Sequence, residues 1–111
     1  MDKTYTGIRT LDGLISITRV MVSDGNTTRP LSKRFADHSP QFEWGYSGWG
    51  PTQLGLRLLG DYLHPKKLDD FPSDLCEKLM MNIVSKLPPF RWILTAEQLH
   101  YCIFNERSGN D

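Results

Sequence analysis

The first third of the chain alternates hydrophobic and polar residues in the manner of β-strands. Residues 4–10 predict a short strand, and residues 14–22 predict a longer one that is rich in β-branched side chains. The pair Asp12-Gly13 between them is typical of a tight hairpin turn. In the second strand, the odd and the even positions point to opposite faces, and both sets are partly apolar. This strand is therefore expected to lie inside the sheet, with a neighbour on each side.

A third strand is predicted over residues 27–33, after a second turn signal at Asp24-Gly25-Asn26. Pro30 lies within it, and proline cannot donate a hydrogen bond to a neighbouring strand. We therefore expect this strand at an edge of the sheet or at a bulge. Together the three strands predict an antiparallel meander.

Apolar residues at helical spacing dominate the second half of the chain. Leucines recur every three or four positions behind Pro51, which suits the first turn of a helix because its missing N–H would have no partner there. This helix is expected to have Gly50 as its N-cap and to end near Leu63. A second apolar stripe predicts a helix from about residue 72 to the Pro88-Pro89 pair.

The end of the chain predicts one more strand and one more helix. Residues 90–94 are expected to return to the sheet, and residues 95–98 have the form of a capping box that begins a helix. The predicted fold class is α+β, with an antiparallel sheet of three or four strands and about three helices packed mainly on one face. Residues 1–104 are predicted to form a single globular domain, and residues 105–111 a polar C-terminal tail.

The segment from Phe42 to Gln53, named here the aromatic–glycine loop, is the main candidate for a functional site. Four aromatic residues and three glycines fall within its first nine positions. Unpartnered N–H groups and the positive dipole end at the start of the next helix favour an anion, and flat rings favour stacking on a planar ligand. The alternative is a tight turn whose aromatic side chains fix the helix onto the sheet. The predicted ligand-binding residues are Arg9, Arg34, His38, Glu43, Trp44, Gly45, Tyr46, Ser47, Gly48, Trp49, Gly50, Thr52 and Gln53.

Charged and polar side chains complete this predicted site. Arg9 and Arg34 are included because an arginine that reaches the loop can bind a phosphate or carboxylate through two N–H groups. His38 lies between an aspartate and a serine, but adjacent residues on an extended chain point in different directions, so the run does not predict a catalytic triad. We interpret His38 as a ligand contact or a loop-ordering residue. Glu43 is interpreted as an ion-pair partner, with a general base as the alternative.

Composition narrows the range of functions. Thirteen acidic and 13 basic residues give a formal net charge of zero, which argues against general nucleic-acid binding because such proteins usually carry a basic excess. Cys76 and Cys102 lack the spacing of metal ligands and are expected to be buried, reduced thiols. No metal site or cofactor is predicted. The absence of a hydrophobic signal segment and of a membrane-spanning run predicts a cytoplasmic protein that does not bind membranes.

The aromatic–glycine loop resembles the central signature of a family of short proteins of unknown function from bacteria, plasmids and phages. The shared pattern is Phe-Glu-Trp-Gly-Tyr-x-Gly-x-Gly-Pro-x-x-Leu. The chain departs from it at Trp49, where a small residue is expected, and at Gly55, where alanine is expected. The resemblance implies no reaction, because the family has no established activity. It extends over most of the chain, through Tyr5-x-Gly7-x-Arg9, Arg29-Pro30-Leu31, His38-Ser39-Pro40, Leu87-Pro88 and Trp92-x-Leu94-Thr95.

Two classes of function follow from these observations. The first is a non-catalytic binding module for a small anionic, ring-containing ligand, with a nucleotide as the leading candidate. The distribution implied by the resemblance extends this hypothesis to a phage-type protein that sequesters a signalling nucleotide in the host cytoplasm. The second is a protein–protein interaction module that inhibits a host defence enzyme, because exposed Trp, Tyr and Arg dominate binding hot spots. A small hydrolase using Glu43 or His38 is a weaker alternative, and a homodimer is expected if two subunits share the site.

Overall fold

The computed structural model describes residues 3–31, 42–63 and 73–104. Residues 32–41, which include Arg34 and His38, lie outside the described residues, as do residues 105–111. Four strands and three helices within the described ranges agree with the predicted α+β class. Their bounds are β1 (Thr4–Asp12), β2 (Ile15–Ser23), β3 (Thr28–Pro30), α1 (Trp49–Leu63), α2 (Ser73–Asn82), a 3₁₀ turn (Val84–Lys86), β4 (Arg91–Thr95) and α3 (Ala96–Phe104).

The strands form one antiparallel sheet in the order β3-β2-β1-β4. Tyr5 of β1 lies opposite Val22 of β2 on one side and Leu94 of β4 on the other. β2 has a neighbour on each side, as expected from its apolar faces. β3 contains Pro30 and is an edge strand, which confirms the position predicted from that proline.

The helices cover one face of the sheet, and the hydrophobic core lies between the two layers. Because side chains alternate along a strand, the odd positions of β1 and the even positions of β2 and β4 face the helices. The opposite face of the sheet bears Arg19, Arg91 and Ile93, which are all exposed. Buried core residues include Tyr5, Val20, Val22, Trp44, Leu54, Leu58, Leu79, Trp92, Leu94 and Leu99.

Helix α1 begins earlier than predicted. The carbonyl of Gly48 accepts hydrogen bonds from the Thr52 amide at 3.1 Å and from the Thr52 hydroxyl at 2.7 Å. Gly48 is therefore the N-cap, and the assignment of that role to Gly50 is wrong. Pro51 still lies in the first turn, where a missing N–H leaves no helical bond unmade. The end of the helix at Leu63 agrees with the prediction.

Helix α2 ends at Asn82, well before the prolines that were expected to stop it. Ile83 leaves helical geometry, with φ −123° and ψ −62°, and the 3₁₀ turn follows. The carbonyl of Val84 accepts a hydrogen bond from the amide of Gly45 at 3.0 Å. Helix α2 thus ends just before the 3₁₀ turn whose Val84 carbonyl binds the aromatic–glycine loop at Gly45.

Candidate functional site

The first tryptophan of the aromatic–glycine loop anchors it in the core. Trp44 is 2% exposed, and its indole packs edge-to-face on that of Trp92 in β4, with ring centres 5.4 Å apart. The indole N–H is shared between the carbonyls of Pro88 at 3.0 Å and Pro89 at 3.1 Å. Trp44 therefore fixes the loop to the edge of the sheet, and in that part of the loop the packing interpretation is correct.

Arg9 lies on the outer side of this anchor. Its guanidinium carbon is 5.0 Å from the centre of the Trp44 ring, the distance of a cation–π contact. Nε donates to the Pro89 carbonyl at 2.9 Å, and one terminal nitrogen donates to the Ser16 hydroxyl at 3.0 Å. These contacts hold the half-buried Arg9 at the loop with a fixed orientation.

Two further rings of the loop are open to solvent. Tyr46 is 48% exposed and Trp49 is 70% exposed. The Tyr46 hydroxyl donates to Oε1 of Glu43 at 2.8 Å. Partial burial, and then this hydrogen bond, raises the pKa of Tyr46, while the nearby charge of Arg9 opposes the rise. The loop thus presents two exposed rings beside one cation and one carboxylate.

The glycines of the loop serve its geometry in different ways. Gly45 has a φ of 89°, which side-chain-bearing residues rarely adopt. Gly50 lies so close to Glu43 that an added Cβ would be 2.8 Å from the Glu43 side chain. Any side chain at position 50 would push Glu43 away from the start of α1.

The backbone amides of the loop divide into two sets. The amide of Gly45 is already bonded to the Val84 carbonyl, so it is not part of an anion site. Trp49 and Gly50 open helix α1, where N–H groups have no partner within the helix. Pro51 contributes no N–H and the Thr52 amide is used within the helix, so the free amides lie two residues earlier than the sequence predicted. The Glu43 side chain also lies beside it and adds a negative charge.

The remaining predicted residues contribute less to a common surface. Ser47 is exposed, Gln53 is half-buried, and the Thr52 hydroxyl is used by the Gly48 carbonyl. Arg34 and His38 lie outside the described residues, so a contribution from either stays a prediction. Of the predicted residues, Glu43 and Tyr46 lie beside the start of α1, Trp49 begins that helix, and Arg9 lies over Trp44 near Tyr46.

A charged cluster that the sequence analysis missed joins α1 to the sheet. The buried carboxylate of Asp61 accepts hydrogen bonds from Tyr5 at 2.8 Å, Lys3 at 3.1 Å and Arg29 at 2.7 Å. Burial would raise the pKa of Asp61, but these hydrogen bonds outweigh it and leave that pKa below its ordinary value. Burial and the bond to Asp61 also raise the pKa of Tyr5 far above its ordinary range.

This cluster is structural, because each carboxylate oxygen of Asp61 already has a donor. A signal for it exists in the sequence. Asp61 falls seven residues after Leu54 and three after Leu58, on the apolar stripe of α1, where an unpaired carboxylate would be unfavourable.

Two cavities lined by described residues lie away from the loop. One, of about 320 Å³, is bordered by Tyr62 and His100, whose hydroxyl and Nδ1 are 2.7 Å apart. The other, of about 590 Å³, runs beside β4. The rings of Tyr46 and Trp49 line neither cavity, so they form an open surface and not the wall of either pocket.

No group of three or more His, Cys, Asp and Glu side chains in the described ranges has a geometry suited to a metal ion. None of the helices in those ranges combines the length and the hydrophobicity needed to cross a bilayer. Cys76 is buried and Cys102 is half-buried, both are free, and burial raises the pKa of each thiol.

Comparison with known proteins assigns the chain to a family but to no activity. The family model of DUF6166, a family of unknown function, matches residues 5–104. Neither a curated protein nor a solved structure matches the chain. The expected membership in a family of unknown function is thus confirmed, while the proposed signature and its bacterial and phage distribution stay predictions. The chain belongs to the family DUF6166, whose function is unknown.

Proposed function

We propose that this chain is a non-catalytic binding module, and that the surface formed by Arg9, Glu43, Tyr46 and Trp49 binds a planar, anionic ligand of the nucleotide class. The observation that carries the proposal is the exposure of Trp49, of which 70% of the side chain is open to solvent at the start of α1. Single exposed apolar residues are common on protein surfaces, but two exposed aromatic rings within four residues of each other, Tyr46 and Trp49, are a feature of binding sites. Trp49 is the first residue of α1, so the backbone position from which the ring extends is fixed before a ligand arrives.

The groups around Trp49 match the parts of a nucleotide. The ring faces of Trp49 and Tyr46 can stack on a base. Arg9 is held by two hydrogen bonds to the protein and adds a positive charge for a phosphate. The amides at the start of α1 add to that charge. The Glu43 carboxylate repels a phosphate but accepts hydrogen bonds from a ribose hydroxyl or a base N–H, so we place the phosphate on the Arg9 side.

The test is a thermal-shift titration with GTP and ATP as probes. A bound nucleotide at ten times its Kd raises the melting temperature by about 5 °C in a domain of this size, because it stabilises only the folded state. The free nucleoside and inorganic triphosphate measure the contributions of the ring and the phosphates separately. Trp49→Ala is expected to abolish the shift and Trp49→Phe to retain most of it. Tyr101→Ala removes a ring on α3 that is also more than half exposed, and it serves as the matched control.

The absence of a shift with both nucleotides, at concentrations up to a few millimolar, would contradict this proposal. So would equal shifts for wild type and Trp49→Ala, because binding would then lie elsewhere. A nucleotide consumed during the titration would contradict the non-catalytic assignment. In that case Glu43→Gln would test the hydrolase alternative.

A second candidate function is favoured by the hairpin between β1 and β2. Leu11, Leu14 and Ile15 at its tip are all more than half exposed. The Leu11 side chain lies on the same sheet face as Arg9, and Ser16 opposite Leu11 is the residue that accepts the Arg9 bond. This apolar tip therefore continues the Arg9 surface, and an exposed apolar patch of this kind suits a protein partner. If the chain comes from a phage or plasmid, as the resemblance implies, a host defence enzyme is such a partner.

The two functions predict different results with one variant. Leu14→Asp changes the hairpin tip without touching the loop. It is expected to leave a nucleotide-dependent thermal shift unchanged. A host protein that binds the hairpin tip is expected to co-purify with wild type and with Trp49→Ala. Leu14→Asp is expected to abolish that co-purification.

A further inference from the structure

Strand β4 is a free edge of the sheet. The sheet order places it at one end, and within the described residues no strand pairs with its outer side. Arg9 donates its amide to the carbonyl of Phe90, and Ala96 donates its amide to the carbonyl of Lys3. In an antiparallel ladder, residues bond to the partner strand alternately. Trp92 and Leu94 therefore bond to β1, while the N–H and C=O groups of Arg91 and Ile93 point outward.

The end of this edge is closed by the protein itself. The amide of Thr95 donates to the Gln98 side chain at 2.8 Å, as part of the α3 capping box. Arg91 and Ile93 thus offer two N–H and two C=O groups to an incoming chain. Native proteins usually protect such an edge, because it pairs readily with any extended segment.

A cavity of about 590 Å³, lined by both apolar and polar residues, follows the same edge. Ile83 and Leu87 line it after the end of α2, Tyr101 lines it from α3, and Leu94 lines it from β4. The rest of its lining consists of Asn82, Ile93, Thr95, Glu97 and Gln98, so the cavity lies mostly on the helix side of β4 and extends around its edge to Ile93. A strand added to the edge would direct every second side chain into it.

The other face of such a strand would meet a positive charge. Arg91 and Arg19 lie on either side of Ile8 in the sheet, and both are exposed on the face away from the helices. An acidic side chain directly opposite Arg91 would be favourable, as for other cross-strand pairs of opposite charge. The edge, the cavity and the arginines together specify an alternating pattern of apolar and acidic residues.

We propose that β4 binds an extended segment of a partner protein by strand addition, with apolar side chains in the cavity and an acidic side chain beside Arg91. This site is separate from the aromatic–glycine surface. A second copy of β4 fits poorly, because its own Trp92 and Leu94 are 4% exposed and already fill its own core. They cannot enter the cavity of another subunit. Residues 105–111 of the same chain contain no hydrophobic side chain to fill it.

The probe for this site is a fluorescein-labelled peptide, acetyl-Thr-Leu-Asp-Leu-Asp-Leu-Thr-amide, followed by fluorescence anisotropy. We expect saturable binding that protects the amides of Arg91 and Ile93 from hydrogen exchange, whereas Trp92 and Leu94 are already bonded. Two N-methylated peptides, one modified at the aspartates and one at the leucines, separate the two sides of the incoming strand. In one of these peptides the methyl groups block the N–H groups that bond to β4, and this peptide is expected to bind about tenfold more weakly than the parent. In the other, the methyl groups point away from β4, and its affinity is expected to equal that of the parent.

Protein variants provide an independent test. Ile93→Pro removes an outward N–H that β1 does not use, and it should weaken peptide binding by about tenfold. Ile93→Thr keeps that N–H and is the matched control, with affinity expected within about twofold of wild type. If Ile93→Pro unfolds the domain, the methylated peptides still decide the question.

Three results would overturn the proposal. Equal affinity for the parent and both methylated peptides would show that no backbone pairing occurs. A wild-type dimer that dissociates in Ile93→Pro, with the Ile93 amide protected in the absence of peptide, would assign the edge to a second copy. An increase in peptide affinity of about tenfold after deletion of residues 105–111 would assign it to the chain's own tail.

Discussion

At the scale of single residues, the Tyr5-x-Gly7-x-Arg9 pattern places three residues with different structural roles on one face of β1. Tyr5 bonds to the buried Asp61, and Arg9 covers Trp44. Gly7 lies between them, and the indole of Trp92 rests directly on its Cα, so that a Cβ there would overlap the ring. Gly7 is thus required for close approach, because no room exists for a side chain.

Gly7→Ala is expected to lower the free energy of unfolding by about 2 kcal/mol, since the added methyl forces Trp92 out of its packed position. Urea denaturation followed by tryptophan fluorescence measures the loss. Trp92→Leu opens space above Gly7 and supplies the control. In that background the same glycine substitution should be nearly neutral or stabilising, because the methyl then fills part of a cavity. An equal loss in both backgrounds would mean that the strain comes from the backbone and not from the ring.

At the scale of elements, local signals were sufficient where the contacts are local. The start of α3 was predicted from residues 95–98. The structure shows the reciprocal pair, with the Thr95 amide donating to the Gln98 side chain and the Gln98 amide donating to the Thr95 hydroxyl at 3.1 Å. Both partners lie within four residues of each other, so their spacing alone is informative. The turns at Asp12-Gly13 and Asp24-Gly25 are confirmed for the same reason.

Thr95→Ala removes the side chain that caps α3, and we expect a loss of about 1 kcal/mol in the free energy of unfolding. Thr95→Ser keeps the hydroxyl and should recover most of that loss. Guanidinium titrations monitored by circular dichroism distinguish the two variants. A serine variant as unstable as the alanine variant would attribute the loss to the strand position of residue 95 and not to the cap.

Element ends that depend on distant contacts could not be predicted from sequence. Trp44 and Trp49 are the same residue type five positions apart, yet one is buried and the other exposed. The difference comes from Trp92, which pairs with Trp44 across nearly half the chain. The end of α2 depends likewise on a chain path that places Val84 against Gly45. The sequence therefore predicts the loop as a candidate site, but it does not distinguish the exposed rings of the loop from its buried anchor.

At the scale of the whole molecule, Asp61 connects three elements that are far apart in the sequence. It lies on α1 and accepts hydrogen bonds from Tyr5 in β1, from Arg29 in β3 and from Lys3 just before β1. The carboxylate is buried, whereas the side chain of Arg29 is 41% exposed and that of Lys3 is 16% exposed. The two cations can therefore be rehydrated if Asp61 is lost, which limits the penalty relative to a fully buried ion pair.

Asp61→Asn is expected to destabilise the fold by about 2 kcal/mol at pH 7, because the amide keeps the shape but loses the charge that two cations contact. The effect should depend on pH in a defined direction. The folded-state pKa of Asp61 lies below its ordinary value of 3.8, so its charge contributes fully to stability above that value. This contribution falls as the pH drops below 3.8 and is lost through the folded-state pKa. Urea titrations between pH 7 and pH 2.5 should therefore show the stability difference between wild type and variant shrinking only at the acid end.

The control is Asp12→Asn, which changes an exposed carboxylate beside a turn that tolerates asparagine. It should leave the acid transition of wild type in place. A difference for Asp61→Asn that stays constant down to pH 2.5 would show that the cluster stabilises the fold through shape and hydrogen bonding, and not through the charge that links α1 to the sheet.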